Sequence, residues 1–142
     1  MKHSSTKVRK SAVRKPCPYR VAVSSSFSAA HNLTDYKGAC ESLHGHNWKV
    51  ELVVGSNSLN KQAMVMDFSE MKRILSDVLS KLDHKYLNEL PQFKKKGKNA
   101  NLTSEVIAEY IAGEIEKSLP PLVSLCEVSV WESDTSRATF SP

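Results

Sequence analysis

Apolar and polar positions along the chain follow two periods. Tyr19 to His31 (Tyr-Arg-Val-Ala-Val-Ser-Ser-Ser-Phe-Ser-Ala-Ala-His) is β-branched at its start, with small residues after, and reads as a strand. From His46 to Val54, Trp48, Val50, Leu52 and Val54 alternate with Asn47, Lys49 and Glu51, a period of two that predicts a half-buried strand. Gly55 to Ser58 closes it as a turn. The period then lengthens. Met71, Ile74, Leu75, Val78, Leu79 and Leu82 recur at helical spacing, with Asp67 placed as N-cap and Glu70 three residues on. A second helix starts at Thr103 or Ser104, carries Val106, Ile107, Tyr110, Ile111 and Ile115, and stops before Pro120-Pro121. Val123 to Glu132 returns to strand character, and a fourth strand is expected around Ala138 to Phe140. Asn32 to Leu43 and the polar stretch from Pro91 to Ala100 read as loops. The order predicts an α+β domain: an antiparallel four-stranded sheet with two helices on one face.

Composition places this domain within a chain of 142 residues, 40% hydrophobic and 25% charged, which excludes wholesale disorder and is enough for one core. No apolar run approaches the roughly 20 residues of a membrane-spanning helix. Cys17, Cys40 and Cys126 cannot all pair, and their spacing is not a disulfide framework, so a reducing compartment such as the cytoplasm is expected.

Charge changes the picture in one place. The formal net charge is +5, but residues 1–20 hold seven basic side chains and no acidic one, which leaves the rest of the chain at −2. Residues 1–18 therefore read as a basic flexible arm and 19–142 as the domain. A solvated tail, a transit peptide and an RNA-contacting arm all fit that composition. The Lys94 to Lys98 run fits a solvated loop or a phosphate-attracting one.

The chemistry gathers on a few residues. His44 and His46 flank Gly45 at the entry of a strand, so their imidazoles share a face. His31 ends the preceding strand, and antiparallel pairing would bring it alongside. Three neutral imidazoles suit Zn²⁺ and leave a coordination position open; two or three unrelated histidines fit the same pattern. Cys40 lies four residues before His44, as a further ligand, a base or nucleophile, or a small buried thiol. Asp83-His84 offers a carboxylate beside an imidazole, either a proton relay or a polar helix end. Glu132 interrupts an apolar strand, either as an inward carboxylate that could accept the paired N–H groups of a pterin or guanine edge or simply as the solvent end of the strand.

Six segments resemble, in order, the 6-pyruvoyl-tetrahydropterin synthase and 6-carboxy-tetrahydropterin synthase family. They are Phe27-Ser-Ala-Ala-His31, Cys40-x3-His44-Gly-His46-Asn47, Val65-Met-Asp-Phe68, Leu82-Asp-His-Lys-Tyr-Leu-Asn88, Thr103-Ser-Glu105 and Trp131-Glu-Ser133. The resemblance implies a tunnelling fold that assembles into an oligomeric barrel, a homohexamer of two trimers with active sites between subunits. It implies zinc on His31, His44 and His46, Cys40 as base, Asp83 and His84 as relay, and Glu132 with Thr103 and Ser104 holding the pterin. The implied substrate is 7,8-dihydroneopterin triphosphate, and the implied products are 6-carboxy-tetrahydropterin, acetaldehyde and triphosphate. Two other products stand beside that one. The pyruvoyl-forming branch typically has a longer Cys-to-His spacing; a folate-serving branch uses a glutamate three residues before His-Gly-His, where Glu41 stands, and releases 6-hydroxymethyl-dihydropterin. A reading from a different class is a non-catalytic tunnelling-fold protein that binds a pterin, a purine or RNA. A membrane partner is not expected, nor a nucleic acid for the domain itself.

Overall fold

The computed structural model describes residues 17–34, 42–95, 98–99 and 101–142. Strands β1 (Tyr19–His31) and β2 (His44–Ser56) are followed by helix α1 (Phe68–Leu79). Three two-residue strands come next, β3 (Lys85–Tyr86), β4 (Lys94–Lys95) and β5 (Lys98–Asn99). Helix α2 (Ser104–Glu116), β6 (Ser124–Ser133) and β7 (Ser136–Phe140) complete the chain.

The main sheet has the order β3-β1-β2-β6-β7, antiparallel except that β3 runs parallel to β1. It therefore has five strands, where the sequence pattern predicted four. The additional strand, β3, is too short to carry a period. It is held instead by its own approach, since the Asp83 carboxylate accepts the Ser28 N–H (2.9 Å) and the His84 N–H donates to the Ser28 carbonyl. The Pro91 to Ala100 stretch, expected as an exposed loop, contains a turn of 3₁₀ helix (Pro91–Phe93) that buries Phe93, then the β4-β5 ribbon.

Both helices begin where capping chemistry allows. Asp67 accepts the N–H groups of Ser69 (2.6 Å) and Glu70 (3.3 Å), and Thr103 accepts that of Val106 (3.3 Å). Their apolar stripes, Met71, Ile74, Leu75 and Val78 on α1 and Ile107, Ile111 and Ile115 on α2, are buried in one core with Phe27, Trp48, Val50 and Leu52 of the sheet. Core-facing positions of β1 and β2 continue in register beyond that packed region. Phe27 pairs with Trp48, Ala29 with His46 and His31 with His44, so the apolar face ends in three imidazoles.

Candidate metal centre and active site

Alternation puts His31, His44 and His46 on the core face, and the register puts His31 opposite His44. Backbone carbonyls then set which ring nitrogen carries the proton. Nδ1 of His31 donates to the Leu102 carbonyl (2.8 Å) and Nδ1 of His44 to the Ser42 carbonyl (2.7 Å), since a carbonyl only accepts. The Nε2 lone pairs of both rings therefore point inward, and they face each other at 2.9 Å. Two lone pairs at that separation repel, and a cation between them turns the repulsion into coordination. Trp48, fully buried, packs edge-on against His31 and His46 and anchors its indole N–H on the Ala29 carbonyl (3.2 Å).

Glu132, near the end of β6, closes the group. Its Oε1 lies 2.9 Å from Nε2 of His46, 3.6 Å from that of His31 and 3.9 Å from that of His44. Nε2 of His46 is buried and, among the described residues, satisfied by no hydrogen bond of good geometry. The four ligand atoms all lie within 4.8 Å of one another. Burial, above all, holds the His31 and His46 imidazoles below their ordinary pKa, against the pull of Glu132 in the other direction. Neutral rings with inward lone pairs, an orphaned buried nitrogen and a nearby carboxylate are a donor set that fits a metal ion such as zinc.

The other predicted residues fall into three groups. Thr103 and Ser104 border a 250 Å³ cavity together with His31 and Glu132, and Oε2 of Glu132 is 3.5 Å from the Ser104 hydroxyl. Asp83 and His84 are not in the four-residue group. His84 is 83% exposed at the β3 edge, with Oδ2 of Asp83 3.5 Å from its Nε2. Its φ of 55° is left-handed, a region uncommon outside glycine though more accessible to histidine than to most side chains. It borders an open depression of 520 Å³ whose lining includes Ser28, Ala30, Gly45 and Asn47 and also His46, so the depression reaches one member of the histidine group. Cys40 and Glu41 lie outside the described residues, as does the basic arm up to residue 16.

Several contributors were not anticipated from sequence. The Leu102 and Ser42 carbonyls that orient the rings carry no side-chain signature. At the end of β1, Asn32 and Asn88 exchange backbone-to-amide hydrogen bonds (both 3.0 Å), and the Tyr86 hydroxyl donates to the Asn32 side chain (2.6 Å). Tyr86 and Asn88 belong to the Leu82 to Asn88 segment, which was the available signal.

An α+β sheet whose apolar face ends in three inward imidazoles and a carboxylate, beside a small polar cavity, defines a metal-capable enzyme site for a small ligand. The 6-pyruvoyl tetrahydropterin synthase family profile matches residues 20–142, and the chain belongs to that family, whose members are lyases acting on pterins. The chain is 38% identical over 123 residues to the 6-carboxy-5,6,7,8-tetrahydropterin synthase of Synechocystis, covering 82% of this chain and 89% of the relative. It is 36% identical over 115 residues to the dihydroneopterin monophosphate aldolase of Pyrococcus furiosus, covering 81% and 90%. The 6-pyruvoyl tetrahydropterin synthase of Caenorhabditis elegans superposes with a TM-score of 0.74 at 27% identity, over 87% of this chain and 95% of that one. Among the described residues no helix is long and apolar enough to cross a membrane.

Proposed function

We propose that this enzyme is a zinc-dependent lyase that converts 7,8-dihydroneopterin triphosphate and one water to 6-carboxy-5,6,7,8-tetrahydropterin, with release of acetaldehyde and triphosphate. The observation that carries the metal half of this reading is the pair of Nε2 lone pairs of His31 and His44, fixed by carbonyls and facing at 2.9 Å. His31, His44 and His46 would hold the ion, which supplies Lewis-acid polarisation of the substrate's side-chain hydroxyls. Glu132 anchors the paired N–H groups of the pterin edge, helped by Thr103 and Ser104 across the small cavity. Cys40 takes a proton from the activated side chain, and His84, oriented by Asp83, carries the partner proton.

Because Asp83 and His84 lie outside the four-residue group and His84 shares a depression with His46 alone of its members, the reading includes a ring of subunits in which a neighbouring copy completes each site. Sheet topology favours such a ring. Among the described residues the β3 pairing covers only Ala29 and Ala30 of β1, which leaves most of that edge unpaired by them, and β7 forms the other edge of the sheet. Edges of that length are normally covered, and closed symmetry covers both at once. A hexamer of two stacked trimers is the assembly proposed.

A second product has its own support. Glu41 stands beside Cys40, and one relative is named a dihydroneopterin monophosphate aldolase. In that reading Glu41 acts as base and 6-hydroxymethyl-dihydropterin leaves the site. Incubation with dihydroneopterin triphosphate and mass identification of products separates the two. Acetaldehyde with the carboxy-pterin supports the first, the hydroxymethyl compound the second, and the pyruvoyl compound overturns both. Unaltered substrate with zinc-loaded protein overturns the assigned substrate.

A further inference from the structure

Cys17 and Cys126 lie far apart in sequence and outside the group described above. Gly55 of β2 brings their meeting place into view. A Cβ built on Gly55 would sit 2.9 Å from Cys126 Sγ and 2.9 Å from Cys17 Cβ. The two cysteine atoms are therefore no farther from each other than twice that distance. They reach over the same glycine from opposite sides: Cys17 from the residues that lead into β1, Cys126 from β6 at the irregular step where Val53 pairs with Glu127 and Val54 with Leu125. Any side chain at position 55 would fill the space the two cysteines share.

Among the described residues neither thiol is in a disulfide, and both are half-buried. The Cys126 thiol has a weak contact to the Ser124 carbonyl at 3.9 Å and lies beside the Arg20 guanidinium. Arg20 and Glu127, paired with each other at 3.5 Å, flank it. Disulfides form when two cysteine Cα atoms come within about 4.4–6.8 Å and the side chains converge, and the shared space over Gly55 brings the Cys126 sulfur and the Cys17 Cβ close enough for rotation of the thiols to be tested as the closing step.

We propose that Cys17 and Cys126 are a thiol-oxidation site that closes into an intramolecular disulfide and tethers the root of the basic N-terminal segment to the sheet. The oxidant is a low-molecular-weight disulfide such as oxidised glutathione. The thiolate of one cysteine attacks a sulfur of that disulfide, forming a mixed disulfide and expelling one glutathione thiolate. The thiolate of the second cysteine then attacks the protein sulfur of the mixed disulfide, forming the Cys17–Cys126 bond and expelling the second glutathione. Two electrons pass from the protein dithiol to the small disulfide, and the two cysteine protons end on the released thiols. Burial pushes the Cys126 thiol up in pKa, with Arg20 acting against it, so the reaction is run at mildly alkaline pH.

The full chain is titrated with oxidised glutathione and examined by intact mass and non-reducing peptide mapping, beside Cys17→Ser and Cys126→Ser variants. The expected wild-type product has lost two hydrogens and yields one peptide linking Cys17 to Cys126. Each serine variant instead retains one glutathione on the remaining cysteine of the pair. Because the bond closes a loop of roughly 110 residues, the oxidised protein should melt several degrees higher, and dithiothreitol should reverse the shift. Wild-type protein that carries two separate glutathiones at these positions, a bond from either cysteine to Cys40, or resistance to oxidation overturns the proposal. A Cys17–Cys126 bond that leaves the melting temperature unchanged overturns its role as a tether.

Discussion

The Glu132 carboxylate lies 2.9 Å from Nε2 of His46, while its other oxygen faces the Ser104 hydroxyl at 3.5 Å. One side chain thus stands between the imidazole cluster and the cavity lined by Thr103 and Ser104, and it links the metal group to the proposed pterin pocket. Glu132→Gln keeps the shape but removes the charge that a paired N–H edge would meet. Binding of dihydroneopterin, titrated against the zinc-loaded protein, should weaken about 10- to 100-fold, the range expected for losing charge-assisted hydrogen bonds. Wild-type affinity in that variant would remove Glu132 from the pterin site.

Metal capture depends on the three rings together. Zinc content measured after gel filtration should be about one ion per chain in the wild type and well below half of that in His46→Ala, because two imidazoles no longer make a three-ligand site. His84→Ala, which leaves the group intact, should bind zinc as the wild type does. Equal loss in both variants contradicts the assigned ligands.

Protonation opposes the folded state of the metal-free protein. His31 and His46 titrate lower in the fold than the ordinary 6.5, because burial disfavours their charged forms. Below 6.5 the unfolded chain takes up protons that the folded chain still refuses. Stability is therefore complete above that pH, declines as pH falls through it, and levels off once the folded rings protonate too. Melting temperatures of the apo protein across pH 5 to 8 should show the decline, and His46→Gln should make it shallower.

Thr103 has two assigned duties, and substitutions separate them. As N-cap of α2 it accepts the Val106 N–H, so Thr103→Ala should cost about 1 kcal/mol, or roughly 2–4 °C in Tm. Thr103→Ser restores the cap. If the hydroxyl also meets the pterin, dihydroneopterin affinity falls with alanine and recovers with serine; an alanine variant that is less stable but binds normally leaves Thr103 a cap alone.

Gly55 admits no Cβ. Besides the two cysteines, the Tyr19 carbonyl would lie 3.0 Å from it, so Gly55→Ala must displace backbone as well as side chains. A loss of about 1–3 kcal/mol in denaturant unfolding is expected from overpacking. An unchanged midpoint would mean that β1 and β6 part there more easily than their close approach implies.

Much of the fold was legible from periodicity because the core is the physical cause of the period. Trp48, Val50 and Leu52 alternate because one face of β2 is buried; Met71, Ile74, Leu75 and Val78 are spaced as they are because one stripe of α1 packs on it. The β3 strand was not legible. Two residues have no period, and their pairing depends on Asp83 and His84 gripping Ser28 from 55 residues away. The histidine triad was legible as a pattern, since His-x-His on a strand fixes a shared face. Its tautomers were not, because the Leu102 and Ser42 carbonyls that set them are backbone atoms.

The sequence by itself determined the order of the long strands and the two helices, the family, and which residue types could meet a metal and a pterin, because these follow from local spacing and side-chain chemistry. Only the tertiary structure decided how they meet. Strand register set His31 against His44, the end of β6 delivered Glu132 to His46, and a glycine in β2 let Cys17 and Cys126 converge. Those contacts join residues 13 to 109 positions apart. Chain closure over such distances is specified by packing of the whole core, which no local window of sequence contains.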